Sequence, residues 1–131
     1  MEIKRGNPEG MKNVRASVYN HYVRVDQPKS LIFVSGQVSR DSDGQQLGRG
    51  SMLEQTRQCI RNIEKSLKAA GAELSDIVWT TVYTTDMREF KEIVTAREEF
   101  FKTNLPTSTM VEVVHLADPG LMVEIQVIAA A

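Results

Sequence analysis

The chain has 131 residues, a length that suits a single domain over residues 1–131 with its own hydrophobic core. Sixteen basic against seventeen acidic residues leave a net charge of −1, so the basic surplus of a nucleic-acid-binding protein is missing. The one cysteine, Cys59, excludes an internal disulfide, and His21 and His115 lie far from any cysteine cluster that would suggest a metal site. No apolar run could span a bilayer and the first residues resemble no signal peptide, so we expect a cytoplasmic protein.

The N-terminal part of the chain is predicted to be irregular at first and then to form strands. Glycine and proline residues interrupt the first twenty positions, which leave room for one edge strand. Residues 22–25 (YVRV) are β-prone, and residues 31–34 (LIFV) form an apolar run typical of a strand buried on both faces. The polar, glycine-rich residues 39–50 are predicted to be a surface loop.

Two amphipathic helices are predicted in the rest of the chain. Ser51 and Glu54 form the capping-box pattern S-x-x-E before an apolar stripe at helical spacing, and Gly71 suits the C-terminal cap. Asp86 is the predicted N-cap of the second helix, which Pro106 ends. Residues 77–84, 109–114 and 122–128 are predicted strands.

The predicted fold class is therefore α+β. One mixed six-stranded sheet with both helices on one face is the simplest arrangement that buries two amphipathic helices. Adjacent apolar positions, as in residues 31–34, indicate that another subunit covers the second sheet face, so we expect a homo-oligomer.

The order of short motifs resembles that of the Rid/YjgF family over roughly residues 15–130. The match includes a buried strand that ends in Ser-Gly-Gln (31–37), a tyrosine upstream of it (Tyr19), and the segments 54–63, 69–71, 76–83, 111–113 and 123–129. This resemblance implies a chorismate-mutase-like fold, a homotrimer, and a cleft at each subunit interface where a small imine or enamine is hydrolysed without a metal or organic cofactor.

The resemblance also assigns candidate site residues. Glu124 matches the glutamate thought to activate water, and a carboxylate can accept a proton from water that attacks C=N. Ser35 and Gly36 match a strand end at the cleft, where a glycine amide can approach a ligand. Tyr19 matches a tyrosine that lines the cleft. Each also has a plainer interpretation, as a solvated glutamate, a turn glycine or a core aromatic residue.

The chain departs from the family at one important position. The family arginine precedes V-E-V, and here Ser108 takes its place, followed by Thr109 and Met110 as further candidate substrate-binding residues. We therefore expect serine to bind a substrate carboxylate more weakly than the family arginine does. Ser108→Arg is predicted to gain activity on aminoacrylate-type imines. Arg97, one helical turn after Val94, is interpreted as a solvated residue, with the alternative that it compensates for the missing arginine.

Three functions follow from these residues. The first is hydrolysis of an imine or enamine of altered substrate class, with a larger unsaturated amino acid, as in aminomuconate deaminases, as a reasonable example. The second is a non-catalytic trimer that binds a small metabolite. The third, endoribonuclease activity, ranks last because the chain lacks a basic surplus and an evident histidine acid–base pair.

Overall fold

A computed structural model describes all residues, 1–131. The strands are β1 (Glu2–Gly6), β2 (Tyr22–Asp26), β3 (Leu31–Gln37), β4 (Ile77–Thr84), β5 (Thr107–Glu112) and β6 (Val123–Ala130), and the helices are α1 (Met52–Ala69) and α2 (Phe90–Phe100). Short 3-10 turns precede β4 and α2. Neither helix has the length and apolar character required to cross a membrane.

Four strands form the central sheet in the order β3-β6-β4-β5. β6 is antiparallel to both of its neighbours, whereas β5 is parallel to β4. Because alternate residues of a strand face opposite sides, every second residue of β6 is buried beneath the helices. These residues pack with one face of α1 in the main core, which includes Cys59, Ile60, Ile63, Val123 and Ile125.

The first helix begins and ends where the sequence predicts. The Ser51 side chain accepts a hydrogen bond from the Glu54 amide (3.2 Å), and Gly71 after the helix has φ +83°, a left-handed conformation that glycine adopts readily. The reciprocal half of the capping box does not form, because the Glu54 carboxylate pairs with Arg57 instead. At the second helix, Asp86 caps the preceding 3-10 turn, with its carboxylate accepting from the Arg88 amide (3.0 Å).

The N-terminal ribbon, residues 1–26, corrects the prediction of one continuous six-stranded sheet. The six strands exist, but β1 and β2 form a separate antiparallel pair. Asn20 donates from its side chain to the Leu105 carbonyl and from its backbone to the Pro106 carbonyl, both at 2.8 Å, so the chain enters β2 beside the β5 edge. It then reaches β3, the opposite edge, at Leu31. β2 therefore crosses one end of the sheet and cannot extend it.

The sheet face opposite the helices is uncovered in the protomer. Phe33 on β3 is 72% exposed, and Leu31, Trp79 and Val111 are also exposed large apolar residues. The strand registers place all four on this open face, which alternation separates from the core. An apolar sheet face of this kind is typical of a surface that another subunit covers.

Candidate active site

Glu124 lies on β6 among residues of the open face. Its strand neighbours Val123 and Ile125 are buried beneath the helices, whereas Glu124 and Gln126 are half-buried on the other side. Strand register sets Glu124 beside Tyr83 of β4, which in turn lies beside Val111 of β5. Its carboxylate makes no hydrogen bond or ion pair within the protomer, so both oxygens are free to act on a ligand or water.

The start of β6 is fixed by a buried glutamine. Gln55 of α1 accepts a hydrogen bond from the Met122 amide (2.9 Å) and donates to the Gly120 carbonyl (2.9 Å). The Met122 carbonyl accepts from the Thr85 amide at 3.0 Å. The backbone two residues before Glu124 is therefore held from both sides. A fixed backbone limits where the carboxylate can go, as a positioned base requires.

Gly36 lies directly against the Glu124 carboxylate. The β3–β6 register shifts between Val34 and Gln37, and this irregularity brings the Gly36 backbone against the Glu124 side chain. A β-carbon at Gly36 would lie 2.7 Å from Glu124 Cδ, so any side chain there would overlap the carboxylate. A side chain at this position would therefore displace the flexible Glu124 carboxylate and not the backbone, and the φ of Gly36 is not in the left-handed region.

We expect Gly36→Ala to reduce any activity that depends on the Glu124 carboxylate by about a hundredfold, because displacing a reacting group by about 1 Å can have that effect. The methyl group must push the Glu124 carboxylate aside. The measurement is kcat/KM on an imine substrate together with thermal unfolding. Gly71→Ala serves as the control because a β-carbon there meets no atom within 4 Å, although its φ of +83° makes that variant less stable. Full activity in folded Gly36→Ala would contradict this placement of the carboxylate.

Ser35 and Thr109 share the open face with Glu124. Ser35 is exposed and lines a shallow groove of about 250 Å³ with Phe33, Gly36, Trp79 and Gln126 among its neighbours. Thr109 is also exposed, in register with Thr81 and, through it, with Gln126. Both hydroxyl groups are available to a molecule that covers this face.

Tyr19, Ser108 and Met110 lie instead on the helix side of the sheet. They line a cavity of about 350 Å³ at the β5 edge. The other lining residues come from the segment before β2 and from α2, and they are Lys12, Val14, Ser17, Phe90, Val94 and Arg97. The ribbon residue Asn20 and its bonds to the start of β5 hold the N-terminal wall of this cavity in place.

Arg97 corrects the interpretation of this residue as solvated. It is only 2% exposed, and it donates to Ser108 Oγ (3.1 Å) and Thr80 Oγ1 (3.4 Å). Its guanidinium lies 5.9 Å from the centre of the Phe101 ring, and no carboxylate pairs with it. Burial lowers the pKa of Arg97 to about 10, so the group stays protonated at pH 7. The protein thus keeps a positive charge beside Ser108.

One protomer therefore does not bring all the predicted site residues together. Glu124, Gly36, Ser35 and Thr109 belong to the open face, whereas Tyr19, Ser108 and Met110 belong to the cavity on the other side. Strand alternation requires this division, since residues 108 and 110 of β5 face one side and residue 109 the other. The two groups can meet only across an interface between chains.

The helical spacing of α2 contains a signal for the burial of Arg97. The three buried residues of α2 are Ile93, Ala96 and Arg97, at the i, i+3, i+4 spacing of one helix face. Position 97 thus lies on the buried stripe. Lys12, Val14 and Ser17 had no comparable signal, because their place depends on the crossing ribbon. No group of three or more His, Cys, Asp or Glu side chains is arranged to hold a metal ion.

The fold and site together define the class: a small two-helix α+β domain with an unpaired glutamate on an uncovered sheet face. Residues 12–131 match the family described as Endoribonuclease L-PSP. The chain belongs to this family, which is also called Rid or YjgF. It is similar to a 2-iminobutanoate/2-iminopropanoate deaminase of Homo sapiens, with 32% identity over 111 residues, 85% of this chain and 78% of the relative. A RutC family protein of Sinorhizobium fredii is 37% identical over 98 residues, 75% of this chain and 77% of that protein.

Solved structures of the family share the fold. YyfB of Yersinia pestis, a Rid family protein of unknown function, is 25% identical with a TM-score of 0.92 over 100% of both chains. A YjgF family member from Mycobacterium tuberculosis is 32% identical with a TM-score of 0.68, covering 99% of this chain and 100% of the other. The ribbon holds 26 of 131 residues, so a score of 0.92 requires it to superpose as well. YyfB therefore shares the crossing ribbon.

Proposed function

We propose that the protein hydrolyses a small imine or enamine to a carbonyl compound and ammonia. The observation that carries the proposal is the unpaired Glu124 carboxylate that lies against Gly36 on the open sheet face. The names of relatives at 32–35% identity, which are 2-iminobutanoate/2-iminopropanoate deaminases, support the same chemistry.

In the proposed reaction, water adds to the carbon of a C=N bond. Glu124 accepts a proton from this water as the C–O bond forms and passes it to the substrate nitrogen, which regenerates the carboxylate and gives an amino alcohol. Glu124 then carries the hydroxyl proton of the amino alcohol to its nitrogen as the C=O bond forms, the C–N bond breaks and ammonia leaves. The sum is one imine and one water converted to one carbonyl compound and one ammonia. The Gly36 backbone can approach the reacting group closely because it carries no side chain.

The proposed assembly is a homotrimer in which the open faces cover one another. The exposed side chains of Leu31, Phe33, Trp79 and Val111 on one sheet face supply the apolar area that such an interface needs. Contact between the open face of one chain and the β5 edge of another would join the two groups of candidate residues into one cleft. Metabolite-sized ligands, not nucleic acid, are the proposed partners.

The substrate class is proposed to differ from that of relatives with an arginine on β5. Ser108 offers a neutral hydroxyl at that position, which already accepts a hydrogen bond from Arg97. A substrate anchored by a strand arginine would therefore meet a different set of donors here. A larger or more unsaturated amino-acid derivative remains a proposed example.

An assay on a panel of imines tests the proposal. Small imino acids are generated in situ by a dehydratase, larger ones by an amino-acid oxidase, and release of keto acid and ammonia is compared with the spontaneous rate. We expect acceleration on at least one member, and light scattering is expected to give the mass of three chains. Spontaneous rates on every member, from folded protein, would leave a non-catalytic binding trimer as the function.

A further inference from the structure

We propose that the cavity at the β5 edge binds the carboxylate of a small organic acid through Arg97. The cavity, of about 350 Å³, is lined by two cationic residues, Arg97 and Lys12, and by no acidic one. This inference deepens the proposed function, because it names the substrate group that the site recognises. The residue that holds it lies on α2, outside the set of candidates drawn from the sequence motifs.

The state of the Arg97 guanidinium points to an anion. A guanidinium has five N–H donors, and here two of them reach only neutral hydroxyl groups, on Ser108 and Thr80. A buried charge without a counter-ion is unfavourable, and proteins retain one chiefly where a ligand or partner neutralises it. Arg97 lines the cavity and only 2% of its surface is exposed, so a carboxylate that reaches its guanidinium there would form charge-assisted bonds in a poorly hydrated setting.

The cavity walls define the rest of the ligand. Val14, Phe90, Val94 and Met110 supply apolar surface, which suits a short hydrocarbon or unsaturated chain next to the acid group. Tyr19 lines the same cavity and makes no hydrogen bond within the protomer, so its hydroxyl is free for a carbonyl or imine nitrogen. The ligand class is therefore a monocarboxylate with a small apolar body and one further polar atom, as in a 2-oxo acid.

Two contacts of His21 anchor the N-terminal segment that forms one wall of the cavity. The His21 ring nitrogen Nε2 lies 2.6 Å from the Lys12 carbonyl, and the His21 and Tyr19 rings meet edge to face with centroids 6.3 Å apart. This contact ties the Lys12 backbone to His21, next to β2, and the exposed Lys12 side chain lies at the cavity rim. A positive charge at the rim adds long-range attraction for an anion.

Calorimetric titration with 2-oxobutanoate, the unreactive keto acid that hydrolysis of 2-iminobutanoate would yield, tests the inference. We expect Arg97→Met to weaken binding roughly ten- to hundredfold, as loss of hydrogen bonds to a charged group does, and Arg97→Lys to restore part of it. The methyl ester of the same acid, which lacks the charge, is expected not to bind measurably. Val94→Phe fills the cavity while keeping Arg97, and it is expected to abolish binding even if Arg97→Met does not fold.

The outcomes separate this inference from the proposed hydrolysis. If 2-oxobutanoate fails to bind wild-type protein, or binds the Arg97→Met and Val94→Phe variants as tightly, the Arg97 site is wrong even where imines are hydrolysed. If binding depends on Arg97 but no imine is hydrolysed, the result supports the carboxylate site and contradicts the proposed hydrolysis. Equal binding of acid and ester would likewise overturn the assignment.

Discussion

Glu124→Gln is expected to lower kcat on the best imine substrate by about 10²- to 10⁴-fold, the usual contribution of a positioned general base. The amide has the same shape, so it keeps its place against Gly36, but it cannot accept a proton from water at neutral pH. Because the Glu124 carboxylate forms no hydrogen bond or ion pair within the protomer, the free energy of unfolding is expected to change little. Initial rates of keto-acid release and urea unfolding give the two quantities.

Glu92→Gln is the matched control. Glu92 is an exposed glutamate on α2, so this substitution removes the same charge far from the open face. It is expected to retain wild-type kinetics. If Glu124→Gln keeps more than about a tenth of the activity, a general-base role for this carboxylate is untenable. Loss of activity in both variants would instead indicate that the change in net charge is the cause.

Ser108→Arg is expected to destabilise the protein by about 3–5 kcal/mol, the range for an uncompensated buried charge. Ser108 Oγ lies 3.1 Å from Arg97 Nη1, so an arginine at 108 would bring two guanidinium groups together without a carboxylate between them. This expectation concerns stability, and the prediction from the sequence that Ser108→Arg gains activity on aminoacrylate-type imines stays a separate prediction. Urea unfolding at fixed protein concentration measures the change.

A double substitution can instead move the positive charge from position 97 to position 108, so that the cavity does not contain two. We expect Arg97→Met combined with Ser108→Arg to recover most of the lost stability, because one positive charge remains in the cavity. Ser108→Met is the control for size, and it is expected to lose only about 1 kcal/mol, the value of one hydrogen bond. Equal destabilisation by Ser108→Met and Ser108→Arg would show that packing, not charge, is the cause.

The double variant also tests whether ligand binding requires the positive charge at position 97 or only a positive charge somewhere in the cavity. If the cavity accepts a carboxylate from either side, the double variant binds 2-oxobutanoate more tightly than Arg97→Met alone. Helix α2 and strand β5 would then be alternative sources of the same positive charge.

Local features of the sequence predicted most of the elements. The Ser51 cap and the Gly71 terminus depend on interactions within one or two turns, so α1 could be placed closely. The predicted strand over residues 109–114 instead spans Thr107–Glu112, and the predicted strand over residues 122–128 spans Val123–Ala130. Strand ends depend on pairing with other strands, which propensity does not determine.

The arrangement of the ribbon and the contact between Gly36 and Glu124 were beyond local reasoning. The course of β2 depends on hydrogen bonds from Asn20 to Leu105 and Pro106, which lie 85 and 86 positions further along the chain. The contact between Gly36 and Glu124 depends on a register shift in β3 that the sequence does not mark. By contrast, the opposite directions of Ser108 and Thr109 follow from strand alternation alone.

The course of the N-terminal ribbon places cavity-lining residues outside the main core. Residues 12–19 supply one wall of the Arg97 cavity, yet only Val14 and Val18 of this stretch are buried apolar residues. In the proposed acid-binding site, substitutions at Lys12 or Ser17 are therefore expected to change which acid is accepted while α1 and the central sheet stay intact.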